Sequence, residues 1–357
     1  MTSYLQQAAD GELAALRLTV DNVVPYLLSA GLLSERLIAD GGLRVEGLLR
    51  RNRNLRVTLP DGRGYFLKQA DSLAIGSRAS VDAEARFYTS APRTRPGLLG
   101  SIPRLVSHDA ACGVLVLELL RDHRTLRELV RAEGQLRFPL RSWRAVGGLL
   151  GAVHQTAAGD PSPVTPFLLT CEPAPQSLAL MQPTALAVFR IVQKSGLSDQ
   201  LVETAELWEP TAFVHGDIRI DNVMIAGRAD GEGEDVRLVD WEMSGLGDPM
   251  WDLAGALEAA VTSTWGRFGV DELCVAAIQS AARTLWGAHL EASGTEAGSV
   301  AKLARFAAAR LVLTALETPN PDSTPTRRTI GYLQVAQNIL NDPEFAATHL
   351  FALGATR

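Results

Sequence analysis

Cysteine is scarce in this sequence. The 357 residues include three cysteines, Cys112, Cys171 and Cys274, which stand too far apart to form a metal-binding motif. A secreted domain held by disulfides needs more cysteines, and a zinc site needs them at short, regular spacings. The pattern therefore predicts buried thiols in a reducing compartment, and it excludes both a disulfide framework and a cysteine-based zinc site.

Long apolar runs and an excess of positive charge are also missing. No stretch approaches the roughly 20 apolar residues of a membrane helix, and the N-terminus lacks the basic and apolar regions of a secretory signal. The net charge is −6 at pH 7, which disfavours nucleic acids and anionic membranes as partners. We therefore expect a cytoplasmic protein that binds neither nucleic acid nor membrane.

Glycine-rich phosphate-binding fingerprints are absent near the first predicted strands, where no G-x-G-x-x-G run occurs. This absence excludes a Rossmann-type oxidoreductase, because the dinucleotide site of that fold depends on the run. It also disfavours a typical protein kinase, whose loop over the ATP phosphates has a similar pattern.

The local patterns predict an α+β fold made of two lobes. Apolar residues have helical spacing up to about Ile38 and again over Val81–Ser90. Strands of the first lobe are predicted at Leu43–Leu49, Leu55–Leu59, Tyr65–Gln69, Arg104–Ser107 and Val114–Leu119, with a hairpin loop at Arg50–Asn54. The remaining chain is mostly helical, with short strands at Phe213–Val214, Val223–Ile225 and Val236–Val239. We therefore predict a helical extension over residues 1–40, a β-rich lobe over 41–122 and a helical lobe over 123–357.

One segment has the composition of a catalytic loop. Asp217 and Asn222 stand five positions apart between apolar, strand-like residues, and Asp240 ends another apolar strand 18 residues after Asn222. Such an arrangement can aim Asp217 at an acceptor hydroxyl while Asn222 and Asp240 hold Mg²⁺. Phosphoryl transfer needs positioning and charge neutralisation of this kind and little covalent help from the protein. The motif therefore predicts a phosphotransferase.

This order of motifs resembles the aminoglycoside phosphotransferase and choline-kinase-like family, which has a bilobal protein-kinase-like fold. The resemblance runs from about Val45 to about Ala254. It rests on three segments, which are His215-Gly216-Asp217 with Asn222, Asp240-Trp241-Glu242, and Gly247-Asp248-Pro249-Met250-Trp251-Asp252-Leu253-Ala254. It implies that the chain transfers the γ-phosphoryl group of ATP, or of GTP, with the help of Mg²⁺.

The resemblance also implies roles for single residues. Asp217 is the catalytic base or orients the acceptor, Asn222 and Asp240 are metal ligands, and Asp252 caps the backbone of the catalytic loop. Arg219 stands two residues after the base, where protein kinases place a lysine that steadies the γ-phosphate. An arginine fits that role and equally fits an acceptor-binding or solvent-facing position, so both interpretations stay open.

Two histidines are expected to support the catalytic loop. His215 precedes the base, and His154 matches a family position beneath the loop, so we predict a structural role for both. His289 has no partner that is visible in the sequence.

The first lobe is expected to bind the nucleotide. Lys68 lies at the end of an apolar strand, as the phosphate-binding lysine of kinases does, and Glu84 on the next helix is its predicted partner. Asn52, in the first hairpin loop, is expected near the phosphates. Glu118 and Leu120 resemble the hinge whose backbone groups bind the base. The alternative is that Lys68 extends from an edge strand into solvent and that Glu84 is a solvated helix charge.

The acceptor is not specified by these motifs. Between Asp252 and Arg310, six acidic residues stand against five basic ones. Because acceptors such as aminoglycosides are polycationic, this balance disfavours them. Our first interpretation is therefore a small-molecule alcohol.

Two other interpretations of the function are open. The loop Arg51–Asn54 and the strand Gly64–Gln69 resemble a bacterial subgroup associated with ribosomal, lanthipeptide-like natural products. That resemblance implies a kinase that phosphorylates Ser or Thr of a precursor peptide and acts with a partner lyase. The third interpretation is a nucleotide-binding pseudokinase, which is disfavoured because all four expected site residues are present: Lys68, Asp217, Asn222 and Asp240.

Overall fold

The computed structural model describes residues 16–39, 41–49, 52–71, 76–132, 140–156, 163–166, 169, 181–227, 233–264, 272–294, 298–318, 320 and 324–354. The chain divides into two compact units. The first consists of Met1–His123 with Asp240–Glu242, and the second of Arg124–Val239 with Met243–Arg357. Three residues that the sequence places late in the chain therefore belong to the first unit.

The first unit is built on a five-stranded antiparallel sheet. Its strands are β1 (Arg44–Leu49), β2 (Arg53–Thr58), β3 (Gly64–Gln69), β4 (Leu105–Asp109) and β5 (Val114–Glu118), in the order β1-β2-β3-β5-β4. The central position of β3 pairs it with β2 on one side and β5 on the other. A strand with two neighbours is held rigidly, so its side chains have fixed positions.

Three helices accompany this sheet: α1 (Val23–Ser29), α2 (Glu35–Ala39) and α3 (Ser77–Thr94), the last followed by a 3₁₀ turn at Pro96–Ser101. Val23 and Leu27 of α1 are fully buried in a cluster with Leu55, Val57 and Leu67 of the sheet. Helix α1 therefore covers one face of the sheet and removes its apolar side chains from water.

Two details of this unit differ from the sequence prediction. A helical pattern was expected up to Ile38, but Leu16 and Leu18 lie in non-helical chain, where the Gln69 side chain bonds the carbonyl of Leu16 at 2.5 Å and the N–H of Leu18 at 2.8 Å. The hairpin loop was expected to include Arg53 and Asn54, which instead belong to β2. Strand pairing overrides their loop-like composition, and Arg53 gains an ion pair with Asp71 at 3.1 Å.

The second unit is mostly helical. In the described residues, its helices are α4 (Leu126–Ala132), α5 (Leu140–His154), α6 (Pro183–Lys194), α7 (Leu197–Ala205), α8 (Pro249–Thr264), α9 (Glu272–Ser293), α10 (Val300–Glu317), α11 (Arg327–Asn341) and α12 (Pro343–His349). Short strands form two antiparallel sheets, one of β6 (Arg124–Thr125), β8 (Val223–Gly227) and β9 (Glu234–Leu238), the other of β7 (Ala212–Val214) and β10 (Gly245–Gly247). A 3₁₀ turn at Trp241–Met243 spans the point where the chain leaves the Asp240–Glu242 segment of the first unit and continues in the second. Helix α8 is buried along most of its length and forms the centre of this unit.

Cys274 is buried, as predicted, and Cys112 is half-buried. Cys171, Arg50 and Arg51, which entered the sequence predictions, lie outside the described residues. Within the described chain, no helix combines the length and the apolar character that a bilayer span requires.

Candidate active site

In the first unit, Lys68 lies at the centre of three carboxylates. Its side chain projects from β3 and is 6% exposed. The ammonium Nζ lies 2.7 Å from Glu84 Oε2 and 2.9 Å from Glu242 Oε2, and it also donates to the carboxylate of Asp240. We call these four residues the Lys68 cluster. The structure thus brings together Lys68 and Glu84, the pair that the sequence suggested.

Burial and charge act in opposite directions in the Lys68 cluster. Burial opposes the charged form of Lys68, but Glu84, Asp240 and Glu242 outweigh it and raise the pKa of the ammonium. Burial also raises the pKa of Glu84 to about 7, although the lysine acts against that rise. The lysine is therefore a fixed positive charge, while the surrounding acids supply more negative charge than it neutralises.

The segment Asp240–Glu242 is anchored in this unit by an aromatic contact. The Trp241 ring stacks on Phe87 of α3 with centroids 4.2 Å apart and planes within 7°. The Ser80 hydroxyl of the same helix donates to Glu242. These contacts explain why the segment belongs to the first unit although β9, which precedes it, lies in the second.

Asp240 is the most accessible acid of the Lys68 cluster. Its side chain is 37% exposed, against 2% for Glu84 and 16% for Glu242. Its backbone has a φ of +70°, a left-handed conformation that side-chain-bearing residues rarely adopt and that is typical of functional positions. A partly exposed carboxylate of this kind is a suitable ligand for a hard cation.

The other predicted nucleotide contacts lie elsewhere in the first unit. Asn52 is 5% exposed, and its side-chain carbonyl accepts a hydrogen bond from Ser77 Oγ at 2.7 Å. Glu118 ends β5, and its N–H already donates to the carbonyl of Arg104 at 3.0 Å. Leu120 follows that strand in half-buried, irregular chain. In the described residues, no hydrogen bond joins Asn52 to the Lys68 cluster, so Asn52 supports the start of α3.

In the second unit, the segment from His215 to Asn222 links β7 to β8, and we call it the catalytic loop. Its first N–H groups are held by Asp252, a fully buried residue on the first turn of α8. The Asp252 carboxylate accepts from the N–H of His215 at 2.8 Å and of Gly216 at 2.9 Å. This is the capping role that was expected for Asp252.

Two histidines support Asp252 through successive hydrogen bonds. His154 Nε2 lies 3.2 Å from Asp252 Oδ2, and His154 Nδ1 lies 2.9 Å from Nε2 of His289. His289, which showed no partner in the sequence, is therefore part of the support. Burial would raise the pKa of Asp252, but the hydrogen bond from His154 and the nearby histidines lower it below the usual value. Burial, with a contribution from His154, lowers the pKa of His289 to about 4.

Two glycines let the backbone approach the catalytic loop closely. Gly216 has a φ of +83°, and a Cβ on it would lie 2.3 Å from the carbonyl oxygen of Met243. A Cβ on Gly255 of α8 would lie 2.4 Å from the carbonyl oxygen of Ile218. Any larger residue at either position would push the loop away from its support.

Asp217 is held by two arginines. Its Oδ1 accepts from Arg219 Nε at 2.7 Å and from Arg310 Nη1 at 3.2 Å. Burial would raise the pKa of this carboxyl, but Arg219 and Arg310 outweigh burial and lower it below the usual value. Asn222 Nδ2 donates to the Asp217 backbone carbonyl at 3.0 Å. Asp217 is therefore an ionised carboxylate with a fixed orientation.

Arg310 is the part of this arrangement that sequence reasoning missed. It projects from α10, is 3% exposed, and donates Nη2 to the carbonyl of Ile218 at 2.7 Å. Its guanidinium lies 5.3 Å from the Trp251 ring centroid. The available signal was an arginine within the apolar run Phe306–Val312, because a cation on a buried helix face needs a carboxylate partner.

Arg219 has acids on both sides. Besides Asp217, its guanidinium donates to Glu317 at the end of α10. Burial alone would lower the pKa of Arg219, but Asp217 and Glu317 raise it. In this structure the arginine positions the Asp217 carboxylate, and its predicted contact with the γ-phosphate stays a prediction.

A cavity of about 400 Å³ borders the catalytic loop within the second unit. Residues 219–221 of the loop form part of its wall, and helices α4, α8, α10 and α11 supply most of the rest. Asp221 in this wall makes a two-pronged ion pair with Arg127 of α4, at 2.5 Å and 2.6 Å. The cavity is thus a concave site that is lined by Arg219, for which an acceptor-binding position is one of the two predictions.

Comparison with known proteins identifies the family of this chain. Residues 47–291 match the model of the phosphotransferase enzyme family named APH. The chain belongs to this family. The match spans both the Lys68 cluster and the catalytic loop, and it confirms the resemblance to the aminoglycoside phosphotransferase family. Among curated proteins, no sequence matches the chain.

Solved structures similar to this phosphotransferase support the fold. They include a microcompartment-associated aminopropanol kinase, with 10% identity, a TM-score of 0.56 and coverage of 94% of this chain and 100% of that one. An aminoglycoside phosphotransferase in complex with ADP and hygromycin B has 16% identity, a TM-score of 0.54 and coverage of 90% and 98%. The choline kinase LicA from Streptococcus pneumoniae has 16% identity, a TM-score of 0.51 and coverage of 87% and 98%. These likenesses confirm the kinase-like α+β fold.

Proposed function

We propose that this phosphotransferase uses Mg²⁺ to transfer the γ-phosphoryl group of ATP to a hydroxyl group of a small-molecule acceptor. Residues 41–122 would bind the nucleotide, and residues 123–357 would carry the catalytic loop and bind the acceptor. The observation that carries the proposal is the ionised Asp217 carboxylate, fixed by Arg219 and Arg310 in a loop that lies within the family match.

The residues present fit a hard divalent cation. Asn222 uses its amide nitrogen as a donor to Asp217, so its carbonyl oxygen is the atom that it can offer a metal. Asp240 offers a partly exposed carboxylate. Oxygen ligands of these two types suit Mg²⁺, which when bound would neutralise phosphate charge. Because Asn222 and Asp240 would hold the metal and would not contact the base, they suit GTP as well as ATP.

The Lys68 cluster supplies the fixed positive charge for the phosphates. Glu84 holds the ammonium of Lys68 on its buried side, as the helix glutamate does for the phosphate-binding lysine of kinases. Glu118 and Leu120 would offer backbone groups to the base. Asn52 would act indirectly, because its side chain supports the helix that carries Glu84.

Asp217 is suited to orient the acceptor hydroxyl. Its Oδ1 receives both arginines, whereas Oδ2 has, among the described residues, only a long contact with Asn222 Nδ2 at 3.4 Å. We infer that Oδ2 accepts the hydrogen bond of the hydroxyl. Because the pKa of Asp217 is low, the carboxylate is a weak base, and it takes the proton late, when the hydroxyl has become acidic through bond formation to phosphorus.

The test is transfer of label from γ-labelled ATP into a cell extract split into small-molecule and peptide fractions. The parent protein is expected to label a small molecule in the presence of Mg²⁺. Asp217→Asn, which keeps the shape of the side chain, is expected to lose a factor of about 10² or more in rate. Equal labelling by both proteins would refute the role of Asp217.

The fraction that carries the label separates the remaining interpretations. Label confined to peptides would replace the small-molecule acceptor by Ser or Thr of a precursor peptide, with a lyase as partner. Nucleotide binding without label in any fraction would favour the pseudokinase.

A further inference from the structure

In the cavity beside the catalytic loop, the acidic and basic side chains differ in how far they are already engaged in ion pairs. Among the residues that the structure describes, its wall contains four arginines, Arg127, Arg131, Arg219 and Arg328, and three acids, Asp221, Glu258 and Glu317. The similar totals suggest a neutral site. The contacts of each group show that the charge available to a ligand is positive.

The three acids of the wall are already engaged. Asp221 binds Arg127 through both carboxylate oxygens, and Glu317 accepts from Arg219. Glu258 is 5% exposed and accepts from the Thr314 hydroxyl at 2.9 Å. Burial raises the pKa of Glu258, which weakens its tendency to carry charge. A cationic ligand would therefore find no uncommitted carboxylate among these three acids.

Arg131 and Arg328 are in the opposite situation. Within the part of the chain that the structure describes, neither guanidinium has a carboxylate partner, and both residues are solvent-accessible. Arg131 belongs to α4 and Arg328 to α11, so two separate helices each contribute one uncompensated cation to the same wall. A guanidinium binds carboxylate and phosphate groups through two parallel hydrogen bonds.

We propose that the acceptor carries, besides its hydroxyl, an anionic group that Arg131 and Arg328 bind. This inference rests on the proposed function, because it names the class of acceptor for that same site. The group is a carboxylate or a phosphate ester, and a cavity of about 400 Å³ is of the size that holds a metabolite. The same two arginines would repel a polycation, which disfavours aminoglycoside-like acceptors.

The test begins by sorting a cell extract before the reaction. The extract is divided by size and then by passage over an anion exchanger and a cation exchanger, and each fraction receives γ-labelled ATP, Mg²⁺ and the enzyme. We expect label in the small-molecule fraction that the anion exchanger retained. Label arising only from neutral or cation-retained acceptors would overturn the proposal while leaving phosphotransfer intact. The size step shows whether the anionic acceptor is a metabolite or an acidic peptide.

Variants then connect the acceptor to the two arginines. The double variant Arg131→Gln/Arg328→Gln is expected to raise the KM for the labelled acceptor by about tenfold or more for each lost guanidinium. The KM for ATP is expected to stay unchanged. The matched control is Arg144→Gln/Arg283→Gln, which removes two exposed arginines of the same unit that lie outside the cavity wall. An acceptor KM equal in both double variants would overturn the proposal.

A binding measurement separates this inference from the proposed function. Inorganic phosphate is titrated calorimetrically into the parent and both double variants, with Mg-ADP present to fill the nucleotide site. The parent and the control are expected to bind phosphate, and Arg131→Gln/Arg328→Gln is expected to lose most of that binding. Absence of binding by the parent would overturn the anion site. If no extract fraction accepts label but phosphate binds as expected, the proposed function fails and the anion site stands.

Discussion

The Lys68 cluster and the Asp217 site solve the same physical problem with opposite charges. In the first, three carboxylates surround one ammonium, and in the second, two guanidinium groups hold one carboxylate. Each central charge is kept ionised although burial opposes it. The groups that surround each central charge differ in sign, however. The carboxylates around Lys68 exceed it in charge and can attract a divalent cation, whereas the two guanidinium groups on Asp217 keep that carboxylate ionised, and one of them is shared with Glu317.

The comparison implies that each central charge depends on its own partners for stability as well as for function. Removing a partner should therefore lower the free energy of unfolding by more when the remaining charge is more deeply buried. Substitutions at pairs of decreasing burial test this relation.

Lys68→Met is expected to be the most damaging change. It leaves Glu84, which is 2% exposed, without its ammonium partner, and breaking a buried pair in this way costs about 3–5 kcal/mol of unfolding free energy. Urea unfolding measures the loss. Adding Glu84→Gln should recover most of it, because the buried carboxylate is then gone. If the double variant is no more stable than the single one, the cost does not come from an unpaired Glu84.

The support of the catalytic loop should weaken as pH falls. The pKa of His289 is lowered to about 4 in the folded protein, whereas an unfolded histidine titrates near 6.5. Between these values the unfolded chain binds the extra proton, so stability is lost as pH drops, by about 3 kcal/mol over the whole window. His289→Asn should flatten this dependence in urea unfolding at a series of pH values. An unchanged slope would show that His289 is not its cause.

Arg310→Met should destabilise less, because Asp217 keeps Arg219 and is 22% exposed. We expect about 2–3 kcal/mol. Loss of the cation should also raise the pKa of Asp217, so the acid limb of the transfer rate should move to higher pH. Arg310→Lys restores the charge and should therefore reverse part of that shift. A pH–rate profile identical to that of the parent in Arg310→Met would leave Arg310 a purely structural residue.

An exposed ion pair provides the lower end of the comparison. Arg56 and Glu46 lie 3.4 Å apart on neighbouring strands, with side chains 45% and 55% exposed. Arg56→Ala is expected to change the unfolding free energy by less than about 1 kcal/mol. A loss as large as that of Arg310→Met would show that burial does not control these effects.

Some of the arrangement around these two sites could be predicted from the sequence, and some could not. Asp217, Asn222 and Asp240 could be proposed as site residues because a short loop and the end of a strand bring them close together in the sequence. Lys68 and Glu84 could be paired because the strand and the next helix are close in the chain. The contact of Arg310 with Asp217 could not be predicted, because it arises only when α10 packs against the catalytic loop. The stacking of Trp241 on Phe87 could not be predicted either, because no local sequence pattern indicates it.

We propose that the Lys68 cluster serves nucleotide binding and that Asp217 serves transfer. Both roles are tested together by measuring the Mg-dependent ATP affinity and the transfer rate of Asp240→Ala and of Asp217→Asn. We expect Asp240→Ala to lose the Mg-dependent affinity, and we expect Asp217→Asn to keep that affinity and lose transfer. If Asp217→Asn loses nucleotide affinity as severely as Asp240→Ala, or if Asp240→Ala binds Mg-ATP as the parent does, this division of roles is contradicted.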